Sequence, residues 1–305
     1  MRLIILLILI SSCDMSSKKT QAISKVKTDL DIQGHRGCRG LMPENSLPAF
    51  EKALKLKVTT LEMDLIISQD HQVVVSHEPF FRAGIALTPQ GDTISEDTER
   101  EHNMYEMGYD QIKTYEIGTQ PDKNHPNRDN VATYKPRFAE VVDMTKTFCD
   151  LNSQDLPFFN IEIKSNEKYD DIFHPEIETF VDLVIQEVDR LDIAAKTIIQ
   201  SFDLRALRIT KEKAPQLTTA LLIENLRSAE ENINELGFNP DIYSCYYKLV
   251  NEELLQYCQS RDIKVIPWTV NTEEDMKTMI ELGVDGIISD YPDLLQITYD
   301  SYATH

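Results

Sequence analysis

Residues 264–289 read KVIPWTVNTEEDMKTMIELGVDGIIS. An apolar, β-branched run over 264–270 gives way to 273–282, where apolar positions fall three or four residues apart, and a second short apolar run follows at 286–289. Strand, amphipathic helix, strand is the unit of a parallel sheet. Working outward from it, the same alternation fills the chain. Further candidate strands lie at 31–35, 60–67, 158–163, 197–202, 217–223 and 241–245, and helix-like segments among them include 46–56, 138–148, 176–191, 204–213 and 251–261. Eight strands in such units predict a closed (β/α)8 barrel, with a doubly wound open sheet as the alternative. No Gly-x-Gly-x-x-Gly turn is present, which counts against a dinucleotide-binding sheet.

The rhythm breaks in two places. The link 68–71 is too short for a parallel crossover between 60–67 and the apolar run at 73–75, so these two segments form a hairpin. With the turn centred near Gln69-Asp70, His77 is expected opposite Glu62. The acidic, polar stretch 78–133 has weak periodicity and reads as a surface lid or small subdomain inserted after the second strand.

Of the 305 residues 41% are hydrophobic and 27% charged, the makeup of an ordinary globular protein rather than a fibrous or disordered one. The 51 acidic and 31 basic side chains leave a formal charge of −20, which disfavours nucleic acid and broad adsorption to anionic lipid, because both need a basic surface. One barrel with its insertion accounts for residues 30–300. Ahead of it, Arg2, the apolar run 3–10 and Ser11-Ser12-Cys13 make a secretory signal, too short to span a membrane as a mature helix. Ile10-Ser11-Ser12-Cys13 resembles the bacterial lipobox, which implies removal of 1–12, a lipid on Cys13 and a tether over 13–29. The expected location is the cell envelope, as an exported lipoprotein that meets the membrane only through that anchor. The other cysteines, Cys38, Cys149, Cys245 and Cys258, match no zinc spacing and read as free, mostly buried thiols.

In such a barrel the working residues sit at the C-terminal ends of the strands. Those ends hold His35-Arg36-Gly37, Glu62 and Asp64, Glu162 and Lys164, Ser201-Phe202-Asp203, Trp268-Thr269-Val270-Asn271 and Asp290. Side chains two apart share a face of a strand, so Glu62 with Asp64, and Glu162 with Lys164, point the same way. Inside an apolar barrel Glu62, Asp64 and Glu162 repel one another, and Lys164 offsets only one of them. A hard divalent cation meets that need and leaves positions for substrate oxygens. The hairpin returns His77 to these carboxylates and His35 ends the first strand, so two imidazoles can serve as an acid/base pair. Arg36 offers a planar guanidinium suited to phosphate. Together these groups describe phosphoryl chemistry on an anionic ester, with either His as the acid.

In order, His35-Arg36-Gly37, Pro43-Glu44-Asn45-Ser46, Glu62-x-Asp64, the Val-Val-x-His ending at His77, Glu162-Ile163-Lys164, Gln200-Ser201-Phe202-Asp203, Trp268-Thr269-Val270-Asn271 and Asp285-Gly286-Ile287-Ile288-Ser289-Asp290 resemble the glycerophosphodiester phosphodiesterases. The resemblance implies a (β/α)8 barrel that hydrolyses small-molecule glycerophosphodiesters to sn-glycerol 3-phosphate and an alcohol with Ca²⁺ or Mg²⁺. It implies that His35 and His77 are the acid/base pair and that Glu62, Asp64 and Glu162 are metal ligands. It further implies that Arg36 and Lys164 contact phosphate and that Phe202 and Trp268 wall the glycerol. The chain departs from the family pattern at Glu78, where Asp is usual, at Ser46 and Ser289, where Thr is usual, and at Arg137, for which the sequence offers no reason. Two other activities suit the same barrel: a lysophospholipid-directed phospholipase and a non-catalytic glycerophosphodiester-binding lipoprotein.

Overall fold

The computed structural model describes residues 26–303; the expected signal over 1–12, the lipidation site Cys13 and most of the tether lie outside the described residues. Its strands, in chain order, are β1 (Asp31–Gly34), β2 (Thr60–Ile67), β3 (Val73–Val75), β4 (Ala86–Leu87), β5 (Glu116–Ile117), β6 (Phe158–Ile163), β7 (Thr197–Ser201), β8 (Thr218–Ile223), β9 (Ile242–Cys245), β10 (Lys264–Val265) and β11 (Gly286–Ser289). Eight of them lie side by side in the order β10, β9, β8, β7, β6, β2, β1, β11, and each adjacent pair is parallel. The seam between β10 and β11 is bridged by backbone bonds from Asp285 N–H to Val265 O at 2.9 Å and from Ile288 N–H to Pro267 O at 3.0 Å. The result is a nearly closed (β/α)8 barrel, not the open sheet.

The helices between the strands form for local reasons. Helix Ile177–Arg190 buries Phe180, Val181, Val184 and Val188 along one stripe against the barrel. Helix Leu47–Lys55 starts at Ser46, whose hydroxyl accepts the Ala49 N–H and donates to Pro43 O. The hydroxyl is what this cap needs, so Ser serves in place of Thr. Inside the barrel, Ile198, Ala220, Ile242, Ile266 and Ile288 make an apolar layer. A polar layer joins them: Asn160 Nδ2 donates to Gln33 Oε1 at 2.8 Å, and Gln200 Nε2 donates to Glu62 Oε1 at 2.8 Å.

The hairpin register differs by one residue from the sequence expectation that set His77 opposite Glu62. Leu65 pairs with Val75, Ile66 with Val74 and Ile67 with Val73. The cause is the turn: Ser68 N–H bonds to Gln72 O at 3.0 Å, which closes a three-residue loop centred on Asp70, and His71 takes the left-handed conformation that such loops use. Past Val75 the Ser76 N–H still reaches Asp64 O at 2.9 Å. His77 therefore comes to the carboxylates as the chain leaves the ladder, not as a partner of Glu62.

The insertion has a core of its own. β4 and β5 pair antiparallel, and Phe81, Ile94, Met104, Tyr109, Ile112 and Tyr115 pack with Ile66 and Val74 of the hairpin. The Phe81 and Tyr115 rings stack at 3.9 Å. Arg137 finds its reason here: its guanidinium lies over the Tyr109 ring at 5.0 Å, and its N–H donates to Glu140 Oε2 at 3.0 Å to cap helix Phe138–Asn152. Among the described residues no helix is long and apolar enough to cross a membrane.

Candidate active site

The parallel register of β2 and β6 sets Asp64 beside Glu162 and Glu62 beside Asn160. Glu62, Asp64 and Glu162 are all buried, and each places a ligand oxygen within 4.8 Å of the others. Burial and the neighbouring Asp64 push the Glu62 carboxyl well up. Burial also raises Glu162, with Lys164 acting against it. Burial works on Asp64 too, but His77, Arg36 and Lys164 outweigh it and hold that carboxyl far below the usual range. Two raised carboxyls beside one lowered one show a triad short of positive charge. Three hard oxygens with that deficit fit a divalent cation.

The cations present are already engaged. Arg36 donates its backbone N–H to Glu62 Oε2 and Nη1 to Glu44 Oε1 at 2.8 and 2.9 Å, with Nε 3.3 Å from Asp64 Oδ2. A tight turn makes this possible: Arg36 has φ 50° and Gly37 φ 87°, and a Cβ on Gly37 would meet Ala49 at 2.8 Å. Lys164 Nζ lies 2.9 Å from Glu162 Oε1 and 3.9 Å from Asp64 Oδ1.

Both imidazoles are oriented in the same way. His35 Nδ1 meets Asp290 Oδ1 at 2.5 Å, and His77 Nδ1 meets Glu78 Oε1 at 2.8 Å. An ionised carboxylate only accepts, so Nδ1 carries the proton on each ring and Nε2 keeps its lone pair. His77 Nε2 accepts from Lys164 Nζ at 3.0 Å. Burial lowers His35, with Asp290 opposing. Burial raises Asp290, but His35, His125 and Arg39 hold it well below the carboxylate range. The longer Glu78 preserves the contact to His77 that an Asp would make.

Two cavities meet here. One of about 410 Å³ is lined by His35, Arg36, Glu62, Lys164, Phe202 and Trp268. Phe202 stands edge-on to Trp268 with ring centres 5.6 Å apart, and the Trp268 N–H is satisfied by Ser244 O. The other, about 340 Å³, shares His77, Glu162, Lys164 and Phe202 and is walled by Phe80, Tyr169 and Phe173. Every site residue expected from the sequence within 26–303 lies at one of these cavities or in the carboxylate triad.

Sequence reasoning missed several supports. Asn45 donates to Asp64 Oδ2 at 2.8 Å from a left-handed backbone that Asn tolerates. Gln200 holds Glu62 from below, Asn271 donates to Asp290 Oδ2 at 2.7 Å, and His125 contacts the same oxygen at 3.1 Å. Lys135 is buried, and burial lowers its pKa against the pull of Glu44, Asp64 and Glu78. The four thiols within the described residues are free and buried as expected. Burial pushes Cys38 up to about 12, so it offers no thiolate.

Comparison with known proteins follows the same lines. Residues 35–294 match the Glycerophosphoryl diester phosphodiesterase family. A glycerophosphodiester phosphodiesterase of Caldanaerobacter subterraneus is 28% identical over 268 residues, 87% of this chain and 95% of that protein. A structure from Silicibacter pomeroyi, a candidate glycerophosphoryl diester phosphodiesterase, superposes with a TM-score of 0.80 at 26% identity and covers 92% of this chain and 96% of its own. An Oleispira antarctica phosphodiesterase solved with the product sn-glycerol-3-phosphate shares the fold, with a TM-score of 0.69 at 19% identity over 88% of this chain and 96% of that one.

Proposed function

The chain belongs to the glycerophosphoryl diester phosphodiesterase family, and from that membership we propose a hydrolase that converts glycerophosphodiesters to sn-glycerol 3-phosphate and an alcohol. The observation that carries the assignment of roles is the pair of imidazoles, each with Nδ1 on a carboxylate and, on His77, Nε2 turned to Lys164 Nζ, at the rim of a buried carboxylate triad. His35 and His77 are the acid/base pair. One Nε2 takes a proton from the attacking water, while the other ring, protonated beforehand at Nε2 from solvent, gives that proton to the departing alcohol oxygen. The water oxygen ends on phosphorus, the P–O bond to the alcohol breaks, and the pair returns to its starting state by exchanging one proton with solvent.

Arg36 and Lys164 bind the phosphate, and their charge is greatest use where the transition state concentrates negative charge on the non-bridging oxygens. Glu62, Asp64 and Glu162 would hold Ca²⁺ or Mg²⁺, which supplies Lewis-acid neutralisation of the phosphate. Phe202 and Trp268 wall the glycerol arm in the larger cavity, and the alcohol arm takes the aromatic one. That apolar second cavity supports one further reading, activity on lysophospholipids, whereas a purely binding protein has no use for two oriented imidazoles. Residues 30–300 act as one catalytic unit, 1–12 as a signal and 13–29 as a tether from a lipid on Cys13, so the enzyme works at the cell envelope and meets the membrane only through that anchor.

The test is a panel of glycerophosphodiesters and lysophosphatidylcholine, assayed for glycerol 3-phosphate and for choline with Ca²⁺, Mg²⁺ or chelator. Release of glycerol 3-phosphate that chelator abolishes is expected. Choline released faster from lysophosphatidylcholine than from glycerophosphocholine would favour the phospholipase.

A further inference from the structure

We propose that His125, carried by the insertion, is a positioning residue for His35 and acts on it through Asp290. The inference rests on the reading of His35 as an acid/base group. Asp290 is buried and divides its oxygens between two rings: Oδ1 accepts from His35 Nδ1 at 2.5 Å, and Oδ2 accepts from His125 Nε2 at 3.1 Å. His125 is buried as well, and its Nδ1 faces Asp122 Oδ2 at 2.7 Å. With a carboxylate on each ring nitrogen and neither able to donate, His125 carries both protons. Asp122, His125 and Asp290 thus form a row of alternating charge that ends on the His35 imidazole at the cavity. The other charged groups facing the row are Arg39, with Nε 3.8 Å from Asp290 Oδ1, Arg128, with Nη1 3.8 Å from Asp122 Oδ2, and Arg36 beside His35. The Tyr291 ring lies 6.1 Å from that of His125.

A carboxylate held by one oxygen turns easily about its last torsion. Donors on the second oxygen, His125 Nε2 and Asn271 Nδ2, fix its plane, and the plane fixes the direction of the His35 ring. The segment that brings His125 is latched to the loop after β1. Asp129 N–H donates to Leu41 O at 2.9 Å, and Gly118, at φ +102°, approaches so closely that a Cβ there would meet Pro43 at 2.6 Å. The insertion therefore does more than border the cavity: it supplies one wall of the support behind His35. Its sequence role as a lid or subdomain gives no hint of this.

The full chain is compared with His125→Ala and with His125→Gln, whose amide nitrogen reaches the place of Nε2 and keeps one donor to Asp290. Three quantities are measured: kcat and KM on glycerophosphocholine, the melting temperature, and the low-field proton NMR signal of His35 Nδ1–H, assigned by its absence from His35→Ala. By analogy with groups that orient metal-bound histidines, His125→Ala should lower kcat about 10- to 100-fold with KM within about twofold. It should also broaden the low-field signal, and His125→Gln should recover most of both. If His125→Ala does not fold, Asp122→Asn decides, because it frees the far ring nitrogen: a moved His35 signal supports positioning and an unmoved one overturns it. The proposal is overturned if His125→Ala keeps kcat and the signal within about twofold. It is also overturned if both variants lose kcat in step with melting temperature while the signal stays intact. Full turnover by His35→Ala refutes the acid/base reading instead, and the proton signal alone then judges the positioning.

Discussion

Replacing Glu62 by Gln should stabilise the metal-free protein and abolish its activity. Glu62 is 2% exposed and shares its site with Asp64 and Glu162, with oxygens within 4.8 Å. Two unit charges at that separation and an effective dielectric constant of 20 repel by roughly 3 kcal/mol. The alternative is to keep Glu62 protonated, which at pH 7 costs about 3 kcal/mol from an ordinary value of 4.5, at about 1.4 kcal/mol per pH unit. Without a cation the fold bears one or the other. Gln removes that term but brings an NH₂ group to a place where Glu62 accepts from Arg36 N–H and Gln200 Nε2, each at 2.8 Å. One of those bonds is lost, at about 1 to 2 kcal/mol. The net gain is about 1 to 2 kcal/mol, or about 2 to 6 °C in melting temperature for a chain of this size.

The gain has a pH signature. Burial and Asp64 raise Glu62 in the folded state, so the folded protein binds that proton more tightly than the unfolded one. Below about pH 4 both states are protonated and nothing is lost; as the pH rises the penalty grows. Melts in chelator at pH 4 and pH 7.5 should show the variant level with the wild type at the first and above it at the second. Adding Ca²⁺ or Mg²⁺ should raise the wild type and leave the variant nearly unmoved. A variant that melts below the wild type in chelator at pH 7.5, or gains as much from the cation, refutes the charge-deficit argument.

Two further outcomes are open to direct measurement. His35→Ala and His77→Ala should each lower kcat about 100- to 10,000-fold, with circular dichroism and melting profiles close to the wild type; full turnover by either removes it from the acid/base pair. Glu140 is held at about 2: burial pushes it up, but the Tyr109 hydroxyl, the Arg137 N–H and Lys113 outweigh that effect. A depressed folded value means stability present above about pH 4.5 and lost as the pH falls towards 2. The stability gap between wild type and Glu140→Gln, followed by thermal melts, should thus be widest near neutrality, at about 1 to 2 kcal/mol, and close in acid.

Most of the barrel was legible because each strand is a short apolar run set off by amphipathic helices, and because burial on both faces needs such runs. Helix Ala229–Leu236 was not, since it is mostly Glu and Asn and buries only Ala229, Asn232, Ile233 and Leu236. The hairpin register slipped by one because a left-handed His71 lengthens the loop, and nothing in periodicity marks that residue. The triad was legible for a simple reason: Glu62, Asp64 and Glu162 stand on strands, where a spacing of two fixes the face. Asn45, Lys135 and His125 come from loops, whose paths no periodicity records.

The supports of the two imidazoles separate what a sequence can yield from what it cannot. Glu78 is one residue from His77, and its role as partner is visible at once. Asp290 is 255 residues from His35, yet that contact follows from the fold class. A closed barrel makes the last strand a neighbour of the first, and the register of β1 with β11 pairs Gly34 with Ser289. The next residue on each strand is then His35 and Asp290, side by side at the C-terminal rim, so closure itself builds the dyad. A doubly wound open sheet of the same eight strands would start in the middle and end at an edge, parting β1 from β11 and leaving His35 without its carboxylate. The contact is thus a consequence of topology, whereas the arrival of His125 on the other oxygen of Asp290 depends on how an irregular insertion packs against the first loop.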